Sequence, residues 1–297
     1  MSAEHTKVRF SDLWNSLLEY PRDELVLKLT ILLLMLHGSG TGPLAFPMRI
    51  VAGLMLIGPG WHRLPHFWPL LFVLTLASNV GDWFTMDNHR FLILYWALAC
   101  TLAVYSKNTD RILAWNGRVL IALTFICATA WKAFGGDYLN GDFFYFAFLT
   151  DARLISISGA ATGLSDLQLA QNVELFSLAR YFPLENLNVS LNTSELARQS
   201  GFAMSWMTLI FEASVAFAFL YALIRKSAPW VDWLLIFFCW STYSLVPIRG
   251  FGLILTVMGL AQAPKEHSDA RWGYLLTFIL VQLSLAYVVS QIVRMAG

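Results

Sequence analysis

Apolar residues run in long blocks over nearly the whole chain, broken by short stretches of Gly, Pro and charge. A helix that crosses a bilayer needs about 20 mostly apolar residues, with tolerance for tilt. Five blocks meet that pattern: about Phe67–Phe84, Asn88–Ser106, Ile112–Phe134, Phe202–Ile224 and Trp272–Val293. Three regions are more complex. Glu24 to Gly60 is interrupted by His37-Gly38-Ser39-Gly40-Thr41-Gly42-Pro43 and reads as two short helices around a Gly/Pro turn. Trp230 to Ala261 is too long for one span, and Pro247 with Arg249-Gly250 predicts a break into two. Phe143 to Gly163 contains Asp151 and Arg153, so a re-entrant or interfacial segment competes there with a full span. The pattern predicts an all-α, polytopic transmembrane helical bundle of about eight spans, with seven and nine open.

Charge placement orients the bundle. Basic residues beside short loops stay cytoplasmic. Lys7, Arg9 and Arg22 place the N-terminus inside, and alternation from there gives the cytoplasmic loops Arg63, then Lys107, Arg111 and Arg118, then Arg225 and Lys226, then Lys265 and Arg271. The opposite loops carry mostly Asp, Asn, Gly and aromatics. Residues 1–24 hold both charge signs and no cleavage site, and Phe10–Leu25 reads as an amphipathic surface helix or a disordered tail. Residues 25–297 read as one transmembrane domain, with a polar outer segment at 163–200 in which Asp166–Phe182 has helical apolar spacing. Trp61, Trp83, Trp230 and Trp272 fall at span ends, as in an interfacial aromatic belt.

Composition agrees: 57% of residues are hydrophobic and only 13% charged, against about a quarter in soluble domains. A net charge of +1 leaves no electrostatic footprint for nucleic acid. Cys100, Cys127 and Cys239 lie far apart in apolar stretches and read as buried free thiols, with no metal or redox spacing. The expected partners are the lipid bilayer and another membrane protein.

Two polar clusters carry candidate chemistry, and both fall on the outer face. In Gly81-Asp82-Trp83-Phe84-Thr85-Met86-Asp87-Asn88-His89-Arg90, Asp87 or Asn88 is placed to cap the following helix. His89 reads either as a helix-end residue facing headgroups or as a proton-transfer group, since imidazole titrates near neutral pH. In Trp131-Lys132-Ala133-Phe134-Gly135-Gly136-Asp137-Tyr138-Leu139-Asn140-Gly141, Lys132 lies in the last turn of its helix. It is either a snorkelling cation or an amine in a low-dielectric site, where desolvation makes amines usable as bases. Glu212 lies within Phe202–Ile224, should face the bundle interior with a partner, and Lys132 is a candidate for that role. Arg249 is a further candidate for a buried charge.

Together these clusters resemble the HTTM (horizontally transferred transmembrane) family, which includes the membrane part of vitamin K-dependent gamma-glutamyl carboxylase. Asp87-Asn88-His89-Arg90-Phe91-Leu92 looks like that family's Asn-His-x-x-Leu helix start. Trp131-Lys132 followed by Asp137-Tyr138-Leu139-Asn140-Gly141 is similar to its lysine, short loop and Asp-Trp-Leu-x-Gly pattern. Phe211-Glu212, ending in Arg225-Lys226, is similar to its next helix. The resemblance implies that Lys132 and His89 are functional, with Asn88, Asp137, Tyr138 and Glu212 as pocket polar groups. It implies an outward-facing pocket for a quinone-like or lipid-like molecule, a quinone being the implied cofactor. The chain departs from the pattern at one extra residue between Lys132 and Asp137, and its Phe237–Tyr243 stretch lacks the family's histidine. With no large extramembrane domain expected after the last span, protein glutamate carboxylation is disfavoured. A non-catalytic membrane subunit or assembly factor is the alternative reading. A transporter is the third, weakened by the lack of visible repeats and the scarcity of paired charges within the spans.

Overall fold

The computed structural model describes residues 20–38, 42–81, 83, 86–179, 190–225, 229–245 and 248–283. The predicted surface helix at Phe10–Leu25 lies mostly outside these, as do Asp82, Phe84, Thr85, Lys226, Pro247 and the last part of Trp272–Val293. The described residues form thirteen α-helices and two 3-10 turns, with no strand among them. In chain order the helices are α1 (Arg22–His37), α2 (Ala45–Ile57), α3 (Phe67–Gly81), α4 (Asn88–Val104), α5 (Thr109–Phe134), α6 (Gly136–Leu139) and α7 (Asp142–Thr150). They continue with α8 (Ile155–Thr162), α9 (Asp166–Ala179), α10 (Glu195–Ile224), α11 (Pro229–Leu245), α12 (Arg249–Gln262) and α13 (Ser268–Leu283).

The chain divides into two compact units. The first comprises residues 1–121, 222–236 and 250–279; the second comprises 122–221, 237–249 and 280–297. In the first, α1 and α4 are tied by Trp96, whose indole donates to Thr30 Oγ1 at 2.9 Å. Arg22 forms an ion pair with Asp110 at 2.5 Å and donates to the carbonyl of Ala263. Gly117 on α5 lets α12 approach closely: a Cβ there would fall 2.7 Å from the carbonyl oxygen of Met258.

In the second unit, Phe143–Gly163 is not one continuous span. Helix α7 has nine residues, a rise of about 13 Å where the hydrocarbon core takes about 30 Å. The Asp151 carboxylate accepts from the backbone N–H of Arg153 at 2.9 Å and diverts the chain into a 3-10 turn. Gly163, at φ 68°, ends α8 in the left-handed region open to glycine. The polar segment at 163–200 holds α9 over Asp166–Ala179, the described part of the predicted Asp166–Phe182 helix, and Asn172 anchors the returning chain. Its amide donates to the carbonyl of Asn192 at 2.9 Å and accepts from the Asn192 N–H at 2.8 Å.

Several expectations are corrected. Asp87 occupies the N-cap position of α4, yet its side chain makes no capping bond, and Asn88 is the first helical residue. Arg118 lies inside α5 instead of a loop. Its guanidinium reaches the carbonyls of Ala222 at 3.4 Å and Gln262 at 3.5 Å, so its charge is spent on helix carbonyls. Arg249 is exposed, at the first position of a helix. Cys127 is exposed on α5, whereas Cys100 and Cys239 are buried, and none of the three forms a disulfide.

Among the described residues two helices, α5 and α10, are long and apolar enough to cross a membrane. Only 28% and 33% of their most apolar windows is buried within the protein. Large apolar side chains stand exposed on several other helices as well, among them Phe46, Ile57, Val73 and Leu102.

Candidate functional site

Lys132 projects from the last turn of α5 and forms an ion pair with Oε1 of Glu212 on α10. Both side chains are largely buried, at 14% and 11% exposure. The expected partnership of these two residues is therefore present in the structure. Two charges at that depth need each other, because either alone would pay several kcal/mol of desolvation.

The loop after α5 covers the pair. Tyr138 lies in α6, and the ammonium of Lys132 sits 5.0 Å from its ring centroid, a cation–π arrangement. Phe143 stacks on Tyr138 at 4.4 Å, and Phe144 meets both rings edge-on at 5.9 and 5.3 Å. Burial, aided by the negative charge of Glu212, pushes the Tyr138 phenol well above the ordinary tyrosine range, so it remains a proton donor at neutral pH.

Glycine fixes this cover against α10. Gly141 sits at φ 87°, and a Cβ there would fall 2.6 Å from the Cα of Phe202. Gly201 faces it, with a Cβ position 2.6 Å from the Tyr145 nitrogen and 2.9 Å from the Gly141 carbonyl. The last residue of the Asp137–Gly141 motif therefore has a backbone role. Asp137 itself is exposed, and no hydrogen bond ties it to the pair among the described residues.

The other predicted site residues belong to the first unit. Asn88 is exposed at the start of α4. His89 lays its ring edge on Gly250 near the start of α12: a Cβ on that glycine would come within 2.5 Å of Cδ2 and Nε2. This contact assigns Gly250 a packing role that the sequence pattern had credited to a break.

No family model, curated protein or solved structure matches the chain.

One cluster escapes the sequence reading altogether. Asp232, fully buried in the first turn of α11, accepts from Gln262 at 2.5 Å, Tyr274 at 3.1 Å and Nδ1 of His267 at 3.0 Å. A signal existed, since an Asp early in the apolar run Trp230 to Ala261 is as costly as Glu212. Its partners come from α12, the following loop and α13, which periodicity does not pair. No group of three His, Cys, Asp or Glu side chains placed to hold a metal occurs among the described residues.

Proposed function

We propose that this is a multi-pass integral membrane protein of HTTM type, with a cytoplasmic N-terminus and about eight spans. Its outward-facing acid–base site would be built on Lys132, Glu212 and Tyr138. The membrane assignment rests on the two long apolar helices, whose surfaces are left mostly uncovered by the protein. Lipid is the solvent that accepts such a surface at no hydrophobic cost.

The observation that carries the site is the ion pair itself, held beneath an aromatic cover. In a low-dielectric site a paired ammonium and carboxylate exchange one proton readily, because the neutral pair avoids the desolvation of two charges. When Lys132 passes its proton to Glu212, the free amine becomes a base. It then takes a proton from a hydroxyl of a quinone-like or lipid-like molecule stacked near Tyr138, and the neutral phenol donates a hydrogen bond to the anion formed. His89 and Asn88 are proposed as functional polar groups of the first unit on the strength of the motif alone.

The decisive substitution is Lys132→Arg, which keeps the charge but cannot deprotonate. Cells lacking the gene are complemented with wild type or variant at matched membrane levels. The base reading expects a correctly inserted variant with function lost. Full complementation by Lys132→Arg would remove acid–base chemistry and leave the second reading, a non-catalytic membrane subunit. That reading is favoured by Trp131 and Phe134, 80% and 90% exposed beside the pair, as a face for another membrane protein.

A further inference from the structure

Ser and Thr inside helices usually satisfy their hydroxyl on the carbonyl one turn back. In the second unit Thr150, Ser158, Thr162 and Ser214 do so, at 2.8, 2.9, 2.7 and 2.7 Å. Ser205 and Thr129 do not. Their Oγ atoms are buried and have no partner among the described residues, and Ser205 as a whole is only 2% exposed. Glu212 adds a third such atom: Oε1 takes Lys132, while Oε2 is buried and unbonded. A buried polar atom left unbonded is costly, so three in one unit call for a ligand.

Their placement on the helices identifies it. Ser205, Thr208 and Glu212 follow at helical spacing along one face of α10. Thr129 lies one turn before Lys132 on α5. Beyond Glu212 the same face of α10 turns apolar at Val215 and Phe219, both fully buried. The polar stripe thus ends at the ion pair. We propose that ordered water runs along this stripe, from Ser205 to the Lys132–Glu212 pair, and carries protons to and from it. Water fits because a hydroxyl both donates and accepts while a carboxylate oxygen only accepts, and one small molecule serves both. The seven-residue interval from Ser205 to Glu212 is about 10 Å, which takes about three waters at hydrogen-bond spacing.

The assignment rests on the acid–base reading and completes its proton balance. After the amine has taken the substrate proton, the Glu212 carboxyl, protonated on Oε1 by Lys132, turns to present that O–H to the first water and gives up its proton there. It passes from oxygen to oxygen and restores the ammonium–carboxylate pair.

The test uses the full chain in liposomes, with Cys100, Cys127 and Cys239 replaced by Ala and single cysteines placed at Ser205, Thr129 or Val215. The probe is a small cationic methanethiosulfonate, which reacts with thiolates in contact with water. Ser205→Cys and Thr129→Cys are expected to react about ten-fold faster or more than Val215→Cys. Equal, slow rates at all three positions overturn the water chain. Should Ser205→Cys insert poorly, Thr129→Cys read with and without Ser205→Leu serves instead. A leucine that slows the labelling supports a continuous chain, and an unchanged rate overturns it. Fast labelling beside a functional Lys132→Arg keeps the water and rejects the base; slow labelling beside an inactive Lys132→Arg rejects the water and keeps the base.

Discussion

Two carboxylates are buried among the described residues, and their surroundings treat them in opposite ways. Asp232 in the first unit has both oxygens in use: Gln262 and Tyr274 donate to Oδ1, and His267 meets Oδ2. The packing is arranged around these bonds. Gly259 leaves room for the Tyr274 ring, since a Cβ there would fall 2.6 Å from Cζ. Gln262 Oε1 stays unbonded, but the acid itself is complete. Glu212 in the second unit is bound on one oxygen only, by a flexible lysine near a helix end. A carboxylate with both oxygens engaged by donors from several segments ties those segments together and resists change. One with an unbonded oxygen keeps capacity for a proton or a ligand. The first is a joint between α11, α12, α13 and the loop at His267; the second leaves open the oxygen that the proposed acid–base role would use.

The largest effect expected from this contrast is at Asp232. Asp232→Ala strands three donors in the interior and should destabilise the first unit by about 3–5 kcal/mol. Melting followed by size-exclusion recovery in detergent would check it; a variant as stable as wild type would remove the structural assignment. The pair at Lys132 and Glu212 should be milder and strongly coupled. Lys132→Met alone leaves Glu212 largely buried without a counter-ion, at about 3 kcal/mol, the low end for a buried pair because both side chains keep some exposure, whereas Lys132→Met with Glu212→Leu should recover most of that loss. Additive losses in the double variant would mean that the two side chains do not depend on each other, and the contrast with Asp232 would need redrawing.

The smallest effect concerns His62, in the turn after α2, which sharpens the comparison by offering a buried base with incomplete bonding. Its Nε2 lies 3.6 Å from Oε2 of Glu24, within ion-pair reach when protonated, and has no hydrogen-bond partner among the described residues. Burial pushes its pKa down, as do Lys28 and Arg63, against the opposing pull of Glu24. The folded state therefore prefers the neutral ring. Its contribution is present above the unfolded value near 6.5 and is lost as pH falls through the lower folded one. The melting temperature should drop between pH 7.5 and 5.5 by less in His62→Gln than in wild type; an equal drop would assign the acid sensitivity elsewhere.

Much of the architecture was legible from the order of residues. The Gly/Pro turn between α1 and α2, the break before Arg249, and helices close to the five predicted blocks all follow from local rules. Apolar runs make helices, and clustered Gly and Pro, unlike the single Gly117 or Gly201 inside a helix, favour the breaks between them. The partnership of Lys132 with Glu212 was also legible, because a lone intramembrane charge demands a countercharge and few were on offer. Long-range facts were not. Asp232 finds its donors 30 to 42 residues away, Arg118 spends its charge on the carbonyls of two other helices, and Gly141 and Gly201 matter because two backbones meet there. Sequence alone determined which segments become helices and which side chains are costly to bury, since both depend on a residue and its near neighbours. Only the tertiary structure decided which helix supplies each partner and which oxygen is left free, because those depend on how side chains far apart in the chain come into register.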